Sequence, residues 1–172
     1  MIPKIKKILY ATDFSKNSSY AFLYAVDMAR KHDAKIVILH SVEPIPIASY
    51  VYSGGTNAQY LREVEKRKQE AELNEIEKWV EEFCKRMDAY MSSSCSELVL
   101  KVLVPLGNPV EEILETANEE GCDAIVLGTH GKGFLKQTFF GSTAVKVLER
   151  TRKPVFIIPL PSDKADIDWD KM

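Results

Sequence analysis

Short apolar runs recur along the chain and predict the strands of a sheet. The runs Ile8–Ala11, Ile36–Leu39 and Ala124–Leu127 are almost continuously apolar, which is typical of parallel strands that helices cover on both faces. Two further runs carry features that central strands avoid: Leu98–Val104 has a lysine at its middle, and Val155–Ile158 lies between two prolines. We therefore expect five strands, with these two at the edges of the sheet.

Helical patterns fill the segments between the strands. The positions that recur at three- and four-residue spacing are Ala21, Phe22, Ala25, Met28 and Ala29, then Val110, Ile113, Leu114 and Ala117, then Ala144, Val145 and Leu148. Asn108 suits the N-cap of the second of these helices, Pro109 its first position and Gly121 its C-terminal cap. Strands and helices that alternate through right-handed crossovers predict a doubly wound α/β sandwich.

The connection from Glu43 to Glu97 is far longer than the dozen or so residues that a parallel crossover needs. It contains no Gly or Pro from Asn57 to Met91, and its apolar positions step by three and four: Leu73, Ile76, Val80, Phe83 and Met87. An unbroken helix of this length would exceed ~50 Å, so we expect it either to bend or to project at its N-terminal half. The charge run Arg62–Glu72 favours a solvated, projecting face, which is either an ordinary surface helix or an arm that binds a partner.

The length of the chain, 172 residues, predicts a single domain. We expect this domain to span residues 1–161, with the long connection as an insertion over residues 44–96. The polar residues 162–172 are expected to form a tail outside the core.

The composition of the chain argues against several classes of protein. Lys+Arg 23 against Asp+Glu 25 gives a net charge of -2 and no general attraction to nucleic acid or to anionic lipid. The three cysteines, Cys84, Cys95 and Cys122, form no CxxC pair and lack metal-ligand spacing with histidine, which argues against a disulfide framework and a structural zinc site. No apolar run approaches the ~18–20 residues of a membrane span, and the N-terminus lacks a signal-peptide pattern. We expect a reduced, soluble, cytoplasmic protein.

The segment from Gly128 to Ala144, GTHGKGFLKQTFFGSTA, carries the strongest chemical signal. Its glycines would let a ligand approach the backbone closely, and the helix that begins near Gly141 would offer amides to phosphate oxygens. Lys132 and Lys136 add positive charge. The spacing does not satisfy GxxxxGK[ST] or GxGxxG, which argues against a P-loop or a dinucleotide fold. From these residues alone, the segment is either a phosphate site or only a turn.

The spacing Gly128-x2-Gly131-x9-Gly141-Ser142 resembles the ATP-binding signature of the universal stress protein family. The resemblance extends over KKILYATDFS, IVILH, GNPVEEIL and KPVFIIP, in that order along the chain. It implies an open, flavodoxin-like sheet of five parallel strands in the order 3-2-1-4-5, with helices on both faces. It also implies a homodimer paired through Val155–Ile158 and, since the glycine motif is intact, bound ATP with Mg²⁺ or Mn²⁺ held by the phosphates.

The resemblance also assigns site residues. Ala11 and Asp13 would lie beside adenine and ribose, and Ser41 would offer its backbone to the adenine edge. The residues expected against the base, the sugar and the phosphates are Leu127, Gly128, Thr129, His130, Gly131, Lys132, Gly133, Gly141, Ser142, Thr143 and Ala144. The family often has Pro at the position of Ala11 and an aliphatic residue at that of Ser41, so the fit around adenine is looser here.

Three side chains allow more than one role. Asp13 would either contact ribose or cap the following helix, which Ser15 can already cap. His130 has no carboxylate partner nearby in the sequence, so we expect a phosphate neighbour rather than a general base. His40, at the end of a strand, is expected to be structural.

These observations favour an ATP-binding regulatory protein of the stress response, which acts as a nucleotide-dependent switch with an unidentified protein partner and is not an enzyme. One alternative is a slow ATPase or a nucleotidyl-transfer enzyme. The other is a scaffold without nucleotide that works through residues 44–96.

Overall fold

The computed structural model describes residues 2–46, 58–91, 94–129 and 141–161. The strands are β1 (Lys7–Ala11), β2 (Lys35–Leu39), β3 (Val99–Leu103), β4 (Ala124–Gly128) and β5 (Val155–Ile158). The helices are α1 (Lys16–His32), α2 (Ala58–Asp88), α3 (Pro109–Glu119) and α4 (Ser142–Arg150), and a short 3-10 turn, Ser96–Leu98, precedes β3.

All five strands are parallel, and their order across the sheet is β3-β2-β1-β4-β5. The central strand β1 pairs with β2 on one side and with β4 on the other. The predicted fold class, the strand order and the two edge strands are therefore confirmed. The predicted strand over residues 98–104 is shorter than expected by one residue at each end.

The two faces of the sheet carry separate cores. Helices α1 and α2 cover one face, where Tyr10, Phe22 and Phe83 belong to an aromatic-rich cluster. Helices α3 and α4 cover the other face. Its core is mostly aliphatic and includes Leu9 of β1 and Val147 of α4. Because successive strand residues point to opposite faces, Leu9 and Tyr10 of the same buried strand belong to different cores.

The helix boundaries follow the local signals. The hydroxyl of Ser15 accepts a hydrogen bond from Ser18 N at the start of α1. Asn108 Oδ1 accepts from Val110 N at the start of α3, where Pro109 occupies the first turn. Gly121 follows α3 with φ +62°, a conformation that glycine adopts without steric cost. The caps predicted for these helices are confirmed.

Helix α2 is continuous over its 31 residues, and it does not project freely. Ile76, Val80, Phe83 and Cys84 are buried in its second half. Its first half contacts the domain through polar side chains: Glu65 Oε1 accepts from Ile45 N at 3.1 Å, for example. The predicted solvated face over residues 62–72 is confirmed by exposed positions such as Arg62, Lys66 and Glu70, whereas the predicted projection is wrong, because the opposite side of the helix contacts the domain.

Cys84 and Cys95 form a disulfide, which corrects the expectation of a fully reduced chain. The second half of α2 packs beside the entry to β3, so the two Cα atoms lie 5.0 Å apart. Both residues are buried in the core of α1 and α2. Cys122 is the free cysteine of the described chain, and it is buried. Burial raises the pKa of its thiol to about 11.

Candidate functional site

A cavity of about 300 Å³ lies where β1, β2 and β4 end. Strands β1 and β4 are adjacent in the sheet, but α1, which follows β1, lies on one face and α4, which follows β4, lies on the other. The cavity is therefore at the switch point, where open α/β sheets bind ligands. The volume is at the lower end of small-molecule sites. The lining residues are Ala11, Thr12, Asp13, Ser18, Leu39, His40, Ser41, Pro109, Ile113, Leu127, Gly128, Thr129, Gly141, Ser142, Thr143 and Ala144.

The loop between β1 and α1 brings a carboxylate into the cavity. Asp13 Oδ1 accepts a hydrogen bond from Ser15 N at 3.0 Å, so the carboxylate also braces the turn. Thr12 Oγ1 accepts from Phe14 N at 3.2 Å and lies 3.0 Å from Ser18 Oγ. Phe14 has φ +60°, an uncommon conformation for a bulky residue. Side-chain hydrogen bonds therefore hold this loop in a strained shape beside the cavity.

The end of β2 contributes His40 and Ser41. The ring of His40 packs against Phe14, with 4.6 Å between the ring centroids, and its Nδ1 lies 2.8 Å from Thr12 O. The hydroxyl of Ser41 donates to Gly107 O at 2.8 Å. The side chain of Ser41 thus links the end of β2 to the segment that leads into α3, and Ser41 is one of the residues that line the cavity.

The end of β4 lies unusually close to α1. A Cβ atom at Gly128 would be 3.2 Å from the backbone carbonyl of Asn17, tighter than nearly all real contacts. Asn17 Nδ2 also donates to Thr129 Oγ1 at 2.8 Å, and Thr129 is buried. Glycine at position 128 thus permits the approach that forms this wall of the cavity.

The first turn of α4 faces the cavity, and no side chain of the described part of the chain caps it. Its N-cap is Gly141, which makes no side-chain hydrogen bond, whereas side chains cap α1 and α3. Gly141 N donates to Thr129 O, which fixes the start of the helix against the end of β4. The first amides of a helix carry partial positive charge and have no partner within the helix. This turn can therefore receive an anion.

Helix α3 closes the cavity with Pro109 and Ile113. Glu112, between them, carries a carboxyl whose pKa is raised by partial burial and, to a lesser extent, by Glu115 and Glu119. Glu111 points elsewhere and pairs with Arg150 of α4, which lowers the pKa of Glu111. The pair joins the two helices that flank this side of the cavity.

Ten of the predicted site residues line the cavity together: Ala11, Asp13, Ser41, Leu127, Gly128, Thr129, Gly141, Ser142, Thr143 and Ala144. His130, Gly131, Lys132 and Gly133 lie outside the described residues. The predicted roles of all fourteen residues stay predictions.

Sequence reasoning missed six lining residues: Thr12, Ser18, Leu39, His40, Pro109 and Ile113. For Pro109, a usable signal was present. Helix α3 follows β3, whose carboxyl end lies on the same edge of the sheet as that of β2, so its first turn belongs near the site. His40 was assigned a structural role, and the structure gives it contacts of that kind as well as a place in the cavity wall.

The universal stress protein family profile matches residues 4–159, and the chain belongs to this family. Universal stress protein MJ0577 of Methanocaldococcus jannaschii is 30% identical over 156 residues, which cover 89% of this chain and 94% of the relative. A solved structure of MJ0577, the subject of a structure-based assignment of biochemical function, matches with a TM-score of 0.72 and 25% identity, covering 92% and 99% of the two chains.

A universal stress protein solved in complex with cAMP has the same fold. It matches with a TM-score of 0.56 and 21% identity, covering 91% of this chain and 98% of its own. None of the described helices has the length and apolar content that a membrane span needs.

Proposed function

We propose that the protein binds ATP in the cavity at the end of β1, β2 and β4, and that it works as a nucleotide-dependent regulator in the stress response. The observation that carries this proposal is the start of α4. Among the described residues, no side chain caps its first amides, and they face the same cavity as the Asp13 carboxylate and the glycine of β4. An anion site and an acceptor for hydroxyl groups in one cavity suit a nucleotide.

The lining residues divide into roles that fit this ligand. Ala11 and Leu127 present apolar surface for the base, and the backbone near Ser41 can pair with its edge. Asp13 can accept hydrogen bonds from ribose hydroxyls. The amides of Gly141, Ser142 and Thr143 would receive phosphate oxygens, together with the predicted segment His130–Gly133.

Magnesium or manganese would accompany the phosphates rather than occupy a protein site. Among the described residues, no three His, Cys, Asp or Glu side chains come together in a way that could hold a metal ion. Hard divalent cations often bind through substrate phosphates with few protein ligands, so this arrangement is compatible with a metal–nucleotide complex. The cation would offset the repulsion between Asp13 and the phosphates.

The described residues that line the cavity include two titratable side chains, those of Asp13 and His40. Their contacts suit a site that binds ATP without hydrolysing it. Asp13 accepts from Ser15 N within its own turn, and His40 contacts Thr12 O and Glu72. A general base must reach the proton that it abstracts. Because both groups are already engaged in bracing the loop, we propose that the bound nucleotide is a signal rather than a substrate.

The family fold supports the proposal at a coarser level. The structure of a universal stress protein with cAMP indicates that this fold can hold an adenine nucleotide, although the likeness to that protein extends only to the fold.

The strand β5 lies at the edge of the sheet, and Phe156 on it is 37% exposed. A homodimer through β5 would cover this apolar edge, and it forms part of the proposed regulator.

Gly141→Val tests the site directly. A branched side chain at the start of α4 would obstruct the approach of phosphate to the first amides. We expect the affinity for ATP to fall at least about tenfold, which corresponds to about 1.4 kcal/mol. Isothermal titration calorimetry measures this change, and circular dichroism should show the same helix content as the native protein.

Leu148→Val is the matched control, since Leu148 is 54% exposed on the same helix. It should bind ATP like the native protein. Equal affinity of Gly141→Val and the native protein would remove the start of α4 from the site. Absence of ATP binding by the native protein, with no nucleotide detected after purification by mass spectrometry, would overturn the proposed function.

A further inference from the structure

His40 touches the cavity, the loop before α1 and helix α2 at the same time. Its Nδ1 lies 2.8 Å from Thr12 O, and its Nε2 lies 3.5 Å from Glu72 Oε2 on α2. The two side chains of the His40–Glu72 pair are largely shielded, with 13% and 27% of their surface exposed. His40 is therefore the point at which the cavity wall meets the long helix.

The chemistry of the partners fixes how the imidazole ring is used. A carbonyl oxygen can only accept, so Nδ1 carries a proton and donates to Thr12 O. The second nitrogen then faces a carboxylate, which also only accepts. Thr12 and Glu72 thus lie at the two nitrogens of one ring, and His40 connects the loop before α1 with helix α2.

Within the described part of the chain, polar contacts of this kind attach the first half of α2 (residues 58–72) to the domain. Glu65 accepts from Ile45 N, and Gln69 Nε2 donates to Val104 O at 3.0 Å. With Glu72 these side chains recur at four and three residues, so they lie on one face of the helix. No residue of this half is fully buried. Segments with few buried apolar contacts are the ones that open most readily.

We propose that the His40–Glu72 pair transmits occupation of the cavity to the first half of α2. The inference rests on the proposed function. A ligand in the cavity would displace water from the exposed edge of His40 and restrain the loop that carries Thr12. Because the ring of His40 contacts Thr12 O through Nδ1 and lies beside Glu72 at its other nitrogen, a restrained loop would also restrain the ring and, through it, Glu72. The bound state would then hold residues 58–72 more firmly than the empty state does.

The converse effect follows from thermodynamic linkage. If ATP stabilises the attached state of the helix, the attached helix must raise the affinity for ATP by the same factor. A variant that cuts the pair therefore loses the response of α2 and a matching part of its affinity. The solvent-facing side of residues 58–72 would be the surface that reports the bound nucleotide.

Hydrogen–deuterium exchange with and without ATP tests the inference. In the native protein, we expect ATP to slow exchange at least about fivefold over residues 58–72. Peptides from the second half of α2 (residues 73–88) should change less, since apolar burial holds them in both states. Glu72→Gln should still bind ATP, with an affinity lower by about the same factor, and at saturating ATP it should lose the slowing over residues 58–72.

Two further variants isolate the pair. His40→Asn keeps an amide donor near the position of Nδ1 but places no atom near Glu72, so at saturating ATP it should lose the slowing over residues 58–72; its affinity is measured separately, because His40 also lines the cavity. Glu70→Gln is the matched control: Glu70 is 61% exposed on the same helix and contacts Lys66. It should keep the full response to ATP.

Each outcome of these experiments either supports or overturns the inference. If ATP binds to the native protein and exchange over residues 58–72 does not change, the inference is wrong and the proposed function stands. If Glu72→Gln and His40→Asn respond to ATP as fully as Glu70→Gln does, the pair does not transmit the signal and the inference is likewise wrong. If calorimetry detects no binding of ATP to the native protein, both the proposed function and the inference are overturned.

Discussion

The second half of α2 buries Ile76, Val80 and Phe83 against the sheet, whereas the first half of the same helix is attached through Glu65, Gln69 and Glu72. Burial of apolar surface is favourable roughly in proportion to the area removed from water, and it needs no exact geometry. A hydrogen bond adds little net stability, because water competes for both partners, but it requires a particular arrangement. One helix thus combines a half that stabilises the fold with a half suited to respond to the site.

The position of the two halves along the sheet explains this division. Residues 73–88 pack beside β3 and the turn before it, and their buried side chains join an apolar and aromatic core with residues of β1, β2 and α1. Residues 58–72 reach the carboxyl ends of β2 and β3, where backbone groups of Ile45 and Val104 are presented. Because unpaired backbone groups are costly when shielded from water, polar side chains are favoured there.

Phe83→Ala should have the largest effect of the changes that separate the two halves. Phe83 is buried and packs against Phe22 and Trp79, with ring centroids at 4.8 and 5.4 Å. We expect a loss of about 3–5 kcal/mol in the free energy of unfolding, since the deletion leaves a cavity in the core. Urea denaturation followed by circular dichroism measures it.

Tyr60→Ala removes an aromatic ring from the first half and serves as the comparison. Tyr60 is 56% exposed, so its loss should change the free energy of unfolding by only about 0.5 kcal/mol. Equal effects of Phe83→Ala and Tyr60→Ala would mean that the two halves are stabilised alike.

Breaking the Cys84–Cys95 disulfide should have the next largest effect. The bond closes a short loop, with a sequence separation of 11 residues, between the second half of α2 and the entry to β3. Loop-closure entropy for this length predicts a loss of about 3 kcal/mol on reduction. Urea denaturation with and without reductant measures the loss, and Cys84→Ala/Cys95→Ala should show no effect of reductant.

A count of thiols checks the disulfide independently. Denatured protein that has not been reduced should expose one reactive thiol, that of Cys122, and reduced protein should expose three. In the folded protein Cys122 should react slowly, since burial raises its pKa to about 11 and reactivity requires the thiolate. Three thiols in the denatured, unreduced protein would contradict the disulfide and restore the expectation from the sequence.

The strands and the helix caps could be predicted because their signals are local. The apolar run at Ile36–Leu39 and the pair Asn108-Pro109 each specify a structure within a few residues. The strand order came from the resemblance to a family. The cavity residues Asp13, Gly128 and Gly141 followed from the same source, combined with the rule that ligands bind at the carboxyl ends of parallel strands.

The contacts of α2 could not be predicted, because they depend on the path of a long connection. Whether Glu72 meets His40 or solvent is set by where the helix crosses the sheet, and the charge pattern of residues 62–72 carries no such information. Cys84 and Cys95 pose the same difficulty. Their spacing matches no redox or metal motif, and only the packing of α2 beside β3 brings them together.

Gln69→Ala should have a smaller effect than either Phe83→Ala or the loss of the disulfide, and it tests the polar half. Gln69 Nε2 donates to Val104 O, and the residue is only partly buried. Water can replace the lost donor, so we expect the free energy of unfolding to fall by only about 1 kcal/mol. Lys68→Ala, at an exposed position on the same helix, gives the same gain in helix propensity without a lost contact, so the difference between the two variants isolates the hydrogen bond. Urea denaturation of both variants measures this difference. A loss as large as that of Phe83→Ala would show that the first half of α2 belongs to the stable core, and it would remove the physical distinction between the two halves.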